Sequence, residues 1–244
     1  MSRHAMSRPT TSRSIKLLTT NAVRGSLLEL LPQFERKSGH KVAASYYSTN
    51  QILELLKGGE TADVVILTGP AIEELTKQGK VVKGSHADLA STGIGVCVRK
   101  GARKPDVSSV EAFKRALLDA KSIAHTSTGQ SGMYFAGLIE RLGIAAQVKA
   151  KARVQAGGIV GETVARGDAE LGIQQVSEIF AAPGADLVGP FPPEIQKLTV
   201  FSAGIFAGTQ QAEAAKALIK FLKTPASARV MKAKGLEPAA RKSK

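Results

Sequence analysis

The run Asp63-Val64-Val65-Ile66-Leu67 constrains the fold most. After its opening aspartate it is wholly apolar, and glycines before it (Gly58-Gly59) and Pro70 after it close it off. A strand without polar alternation has no face to show to water, so both its sides must be covered. That is the situation of a mostly parallel sheet with helices on both faces. Helical and strand patterns alternate on either side of it. Residues 15–18 and 41–46 read as strands. Residues 25–38 place Leu27, Leu28, Leu30, Leu31 and Phe34 on one broad helical face, and Gly39 stops the helix. Ser48-Thr49-Asn50 offers N-caps for a helix to about residue 57. Pro70 opens a third helix.

The same theme recurs downstream. Residues 92–99 read as one strand, Ser108-x-x-Glu111 is a capping box, and residues 122–125 form a strand ahead of a glycine-bearing loop. Helices are expected from Ser131 to Gly143 and over 160–166. Short strands are expected at 153–155 and 171–174, a turn-rich loop at 184–193, a long strand at 198–207, and two closing helices at 211–222 and 225–234. This order predicts two α/β lobes, the first discontinuous in sequence, with crossovers in the strands at 92–99 and 198–207. The expected division is 14–93 plus 204–239 for lobe 1 and 94–203 for lobe 2, with basic tails at 1–13 and 240–244.

Charge and composition exclude several classes. The net charge is +14, but residues 1–16 carry +4 and residues 220–244 carry +7, leaving +3 for the body. Nucleic-acid binding asks for a basic stripe interleaved with aromatics on the folded surface, and aromatics are only 5% here, so no nucleic acid is expected. No apolar run reaches the ~18 residues of a membrane span. The N-terminus lacks the apolar core of a signal peptide. One cysteine, Cys97, forbids an internal disulfide, and the four histidines show no metal-ligand spacing, so neither metal nor cofactor is expected.

Function points to the polar strand ends. Thr19-Thr20-Asn21-Ala22, Tyr46-Tyr47-Ser48-Thr49-Asn50, Thr126-Ser127-Thr128-Gly129-Gln130-Ser131-Gly132 and Gln174-Gln175 each abut a helix start. The loop Gln155-Ala156-Gly157-Gly158 is a fifth candidate. Any one of these can be a plain helix cap. Four together, two in each lobe, gather free backbone N–H groups and neutral donors that suit an anion at the carboxyl ends of strands. Arg24 could add a guanidinium fork for a carboxylate. No nucleotide glycine motif or Gly-x-Ser-x-Gly elbow occurs. His125 and Glu162 are candidate acid–base groups, although nothing in the sequence pairs them.

The ordered set Gln33-Phe34, Ser38-Gly39, Ala62-Asp63-Val64-Val65-Ile66, Ser131-Gly132-Met133-Tyr134-Phe135-Ala136, Val164-Ala165-Arg166-Gly167-Asp168-Ala169-Glu170-Leu171-Gly172-Ile173 and Gly235-Leu236-Glu237-Pro238 resembles the periplasmic molybdate-binding proteins. These are type II solute-binding proteins of ABC transporters. The resemblance implies a two-lobed periplasmic-binding-protein fold, two crossover strands and a small anion held between the lobes. It also implies a permease as partner, a monomer, and a periplasmic location. The missing signal peptide leaves a cytosolic anion sensor as a third reading. The family's donors map onto Ser48, Thr49 and Asn50, onto Ser131 and near Gly157, and Gln130 beside Ser131 is a further candidate contact. A family serine falls near Ala22, beside Asn21, and a family tyrosine falls at Gln175. Losing both hydroxyls favours a carboxylate-bearing anion over molybdate. Aconitate isomerase is similar to the same group, which gives the alternative of an isomerase using His125, Tyr46 or Tyr47, or Glu162 as base.

The basic tails lie outside the periodic segments. Removing residues 1–13 and 240–244 is expected to leave the melting temperature and anion affinity nearly unchanged, as a melting curve and calorimetry would show.

Overall fold

The computed structural model describes residues 14–239. Both basic tails lie outside the described residues. Strands β1 (Ile15–Thr20), β2 (Val42–Tyr47), β3 (Val64–Thr68) and β4 (Ala87–Thr92) alternate with helices α1 (Arg24–Ser38), α2 (Thr49–Lys57) and α3 (Gly69–Lys77). After Gly93 the chain enters β5 (Ile94–Arg99), α4 (Val110–Asp119), β6 (Ile123–Thr126), α5 (Gln130–Arg141) and α6 (Ala145–Lys149). It continues through β7 (Ala152–Gln155), α7 (Val160–Arg166), β8 (Leu171–Gln175), α8 (Val176–Phe180) and β9 (Ala185–Pro190). β10 (Thr199–Ile205), α9 (Ala212–Leu222), α10 (Pro225–Ala233) and β11 (Glu237–Pro238) complete it.

The strands form two sheets, in the orders β11-β4-β10-β3-β1-β2 and β7-β6-β8-β5-β9. β3 is buried along its whole length. Its Val64 and Ile66 join the core under α1 and α9, and Val65 and Leu67 join the core under α2 and α3. The alternation thus feeds two cores rather than one core and solvent, which is why no polar residue interrupts it. Each such side chain stabilises the fold by about 1.5–3 kcal/mol relative to exposure. The second sheet is covered likewise. Phe113, Leu117, Phe135 and Leu138 lie on one face, and Val160, Val164 and Ile179 on the other. On that second face Cys97 is fully buried against Gly172, where an added Cβ would stand 2.6 Å from the sulfur. Burial pushes the Cys97 thiol up to about 12.

The two-lobed α/β architecture is the expected one, with differences in detail. Both sheets are mixed rather than mostly parallel. β1 pairs parallel with β2 and β3, and β6 with β7 and β8, but the strands next to the crossings run antiparallel. Residues 92–99 are not one strand: β4 ends at Thr92 in the first sheet and β5 begins at Ile94 in the second. The return crossing precedes Thr199, because β10 pairs along its length with β3 and β4. A boundary at residue 204 would cut that strand. The 184–193 segment contains β9, which its glycines and prolines disguise as a loop; pairing with β5 supplies the order that local propensity withholds.

The Gln196 side chain joins the two crossings. Ile94 N–H donates to its Oε1 at 2.8 Å, and its Nε2 donates to the Ile94 carbonyl at 2.9 Å. Gly93 makes room for this contact, since a Cβ there would lie 2.9 Å from the Gln196 amide. Gly93→Ala is expected to cost about 1–3 kcal/mol, and Gln196→Ala a similar amount. In the double variant the glycine substitution becomes nearly neutral, because the side chain it displaces is gone. Denaturant titration of the four proteins checks this.

Candidate functional site

The carboxyl ends of β1, β2, β6 and β8 point at one another across the space between the sheets. They enclose a cavity of about 30 Å³, room for the centres of one or two water molecules. Contacts between the two halves hold it closed. Ser48 Oγ and Thr128 Oγ1 lie 3.1 Å apart, and Asn50 Nδ2 donates to the Thr128 carbonyl at 3.1 Å. Gln175 Nε2 donates to Thr199 Oγ1 on β10 at 3.2 Å. Gly157 comes so close to α2 that a Cβ would stand 3.0 Å from the Gln51 amide.

Each wall follows from its local sequence. Ser48 caps α2 in a reciprocal box with Gln51, so part of its role is structural. α5 begins at Gln130 without a side-chain cap, because Gly129 has none to give. Its first N–H groups therefore remain unclaimed by a cap. Gly132 allows β6 to end against that turn, since any Cβ there would fall 1.8 Å from the Thr126 carbonyl oxygen.

Four buried polar atoms on these walls have no hydrogen-bond partner: Thr20 Oγ1, Thr49 Oγ1, Thr126 Oγ1 and Gln175 Oε1. All four residues are 5% exposed or less. A buried polar group without a partner costs about 1–3 kcal/mol. Four around one cavity are the mark of a site shaped for a polar ligand. Among the described residues no lysine or arginine lines it, so the polarity comes from hydroxyls, amides and backbone N–H groups.

The structure brings Asn21, Ser48 and Thr49 from one half together with Gln130, Ser131, Gly157 and Gln175 from the other. It does not bring in the remaining candidates. Asn50 turns to Thr128 and to the Met133 sulfur. Arg24 does not line the cavity: its guanidinium lies 5.8 Å from the Tyr46 ring centroid and 4.0 Å from Glu162. On the first turn of α1 it meets Glu162 of α7 instead. Glu162 lines a separate surface groove. Tyr46 is packed under Arg24, and burial raises its hydroxyl above the ordinary tyrosine value. His125 packs edge-on to Phe135 with Nδ1 3.1 Å from the Thr126 carbonyl, and burial lowers it into the neutral form. Of the proposed bases, His125, Tyr46 and Glu162 do not line the cavity, whereas Tyr47 does. Among the described residues no cluster of histidine, cysteine or carboxylate side chains is placed to hold a metal.

Glu178, on the first turn of α8, lines the cavity and was not among the sequence candidates. An acid there reads as ordinary helix-dipole complementarity. The one sequence signal is its position three residues after Gln175. The residue is half-buried, but its carboxyl is enclosed, and desolvation pushes its pKa up to about 8 against the opposing pull of the Gln175 backbone and the Gln174 amide. Glu178 is therefore mostly a neutral acid at pH 7.

A model of the bacterial extracellular solute-binding proteins matches residues 15–237. Aconitate isomerase of a Pseudomonas species is 37% identical over 231 residues, covering 92% of this chain and 88% of that protein. Molybdate-binding protein ModA of Azotobacter vinelandii is 27% identical over 217 residues, covering 85% and 83%. Among solved structures, the Azotobacter vinelandii periplasmic molybdate-binding protein superposes with a TM-score of 0.77 at 22% identity, covering 93% of this chain and 100% of that one. The sulfate-binding protein SubI of Mycobacterium tuberculosis gives 0.73 at 16%, covering 93% and 88%.

Burial of Glu178 has a cost that pH exposes. Its folded pKa lies above the glutamate value of about 4.3 in unfolded chains. Between about pH 4.3 and 8 the folded protein keeps a proton that the unfolded chain has released. Stability is therefore lost as pH rises through that window, by at most about 1.4 kcal/mol per pH unit, and the loss levels off above it. Glu178→Gln is expected to melt with the wild type near pH 4.5 and several degrees above it at pH 8. Equal melting temperatures at both values would contradict the burial of the carboxyl.

Proposed function

The chain belongs to the bacterial extracellular solute-binding proteins, and on that premise we propose that its cleft captures a small polycarboxylate anion. The observation that carries this reading is the set of unpartnered Thr20, Thr49 and Thr126 hydroxyls on the walls of the cavity. Hydroxyls donate to an anion without a compensating counter-charge. Asn21, Ser48, Gln130, Ser131 and the backbone at Gly157 complete the proposed contacts. The halves part to admit the ligand and close on it, because contacts to both favour the closed form. An ABC-type permease is the proposed partner of a monomeric, extracytoplasmic protein. No helix of the described residues is long and apolar enough to cross a membrane.

Donor chemistry favours a carboxylate over a tetrahedral oxyanion. Ala22 brings a methyl group, not a hydroxyl, to the cavity wall. The neutral Glu178 carboxyl can donate to a carboxylate. The Azotobacter vinelandii relative is named for binding molybdate, and this preference would separate the chain from it.

A second reading is that the same cleft isomerises its ligand, as the name of the 37% identical Pseudomonas protein suggests. It is favoured by a titratable carboxyl standing at the cavity where a binder needs only donors.

Calorimetry with cis-aconitate, trans-aconitate, tricarballylate, molybdate and tungstate tests the main reading. A di- or tricarboxylate is expected to bind more tightly than either metal oxyanion. Thr49→Val and Thr126→Val, which keep shape and remove one donor, should each weaken it about 10-fold. Arg24→Ala is expected to change affinity little, since its partly exposed contact with Glu162 is weak. Sub-micromolar molybdate binding unaffected by the threonine variants would overturn the assignment.

A further inference from the structure

We propose that Glu178 is the catalytic acid–base residue of the cleft, carrying a proton between two carbons of a bound tricarboxylate. The inference rests on the isomerase reading above. Tyr47 and Glu178 are the titratable side chains among the cavity's lining. Tyr47 is 37% exposed, whereas Glu178 is half-buried, with its carboxyl near the Gln175 backbone and the Gln174 side chain. Among the described residues no cation pairs with Glu178, in contrast to Glu162, which meets Arg24.

The arrangement supports a proton shift that needs no oxidant and no cofactor. The ionised Glu178 carboxylate removes a proton from the methylene carbon of a propene tricarboxylate. The electron pair left behind spreads over the three-carbon allyl unit and the carboxylates at its two ends. The same Glu178 O–H then returns the proton to the far carbon. The double bond has moved one position, and the residue is again a carboxylate. Charge that develops on the ligand's carboxylate oxygens meets the hydroxyls of Thr20, Thr49 and Thr126, which have no other partner. The environment that makes the glutamate's ionised form scarce also makes it a stronger base than a surface carboxylate.

The test is proton exchange in deuterated water, read by proton NMR on cis- and trans-aconitate, with binding of each ligand measured in parallel by calorimetry. The wild-type chain is expected to exchange the carbon-bound protons and interconvert the two isomers. Glu178→Gln should still bind, with exchange lowered at least about 100-fold. Glu178→Asp should recover part of the rate, and Glu162→Gln should match the wild type. A wild type that binds but exchanges nothing ends the isomerase reading and this inference with it. A wild type that exchanges, with Glu178→Gln exchanging equally fast, ends the inference alone. Loss of exchange in Tyr47→Phe with exchange retained in Glu178→Gln would reassign the base to Tyr47.

Discussion

The molecule depends on the chain passing between its two sheets twice at one narrow place. Gly93 and the segment 191–198 run side by side there, and the Gln196 amide satisfies both the N–H and the carbonyl of Ile94. That contact sets how β4 continues into β5 and where β10 returns. The crossings keep the two sheets adjacent, with the carboxyl ends of β1, β2, β6 and β8 facing each other. The parallel pairs on each side bring those ends to the same edge of each sheet, and the antiparallel strands next to the crossing close each sheet without a long connection. The site is a consequence of this geometry, since no single loop builds it.

Much of this was legible in the sequence where one residue pattern had one physical meaning. Val64 to Leu67 could only be a strand covered on both faces. The polar strand ends stood out because the core had no use for them, and Asn21, Ser48, Thr49, Gln130, Ser131, Gly157 and Gln175 share one cavity wall in the fold. What stayed hidden was whatever depends on partners far away in sequence. β9 is held by pairing with β5 rather than by its own glycines and proline. The break at Gly93 is invisible in a run that reads as strand on both sides. Arg24 looked poised for a ligand until Tyr46 and Glu162 were placed around it. Glu178 looked like a first-turn acid because its enclosure comes from the surrounding walls rather than from its neighbours in sequence.

The cavity also shows where the fold tolerates cost. Unpartnered hydroxyls and an enclosed carboxyl both oppose folding, while the cores around β3 and β8 supply the surplus that carries them. The unpartnered polar groups of the cleft oppose its closure. A ligand that satisfies them would shift the balance towards the closed form.

Cys97 gives the chain an internal clock. Its thiol sits under Gly172 in the middle of the second sheet, and its pKa of about 12 leaves almost no thiolate at neutral pH. A thiol reagent can therefore modify the protein only during the moments when α7 and α8 lift from the face of the second sheet. With a single cysteine in the chain, each modification event registers one such separation. The labelling rate then measures the opening of the second half of the molecule without any mutation. Opening of the first half, which has no thiol, leaves that rate unchanged.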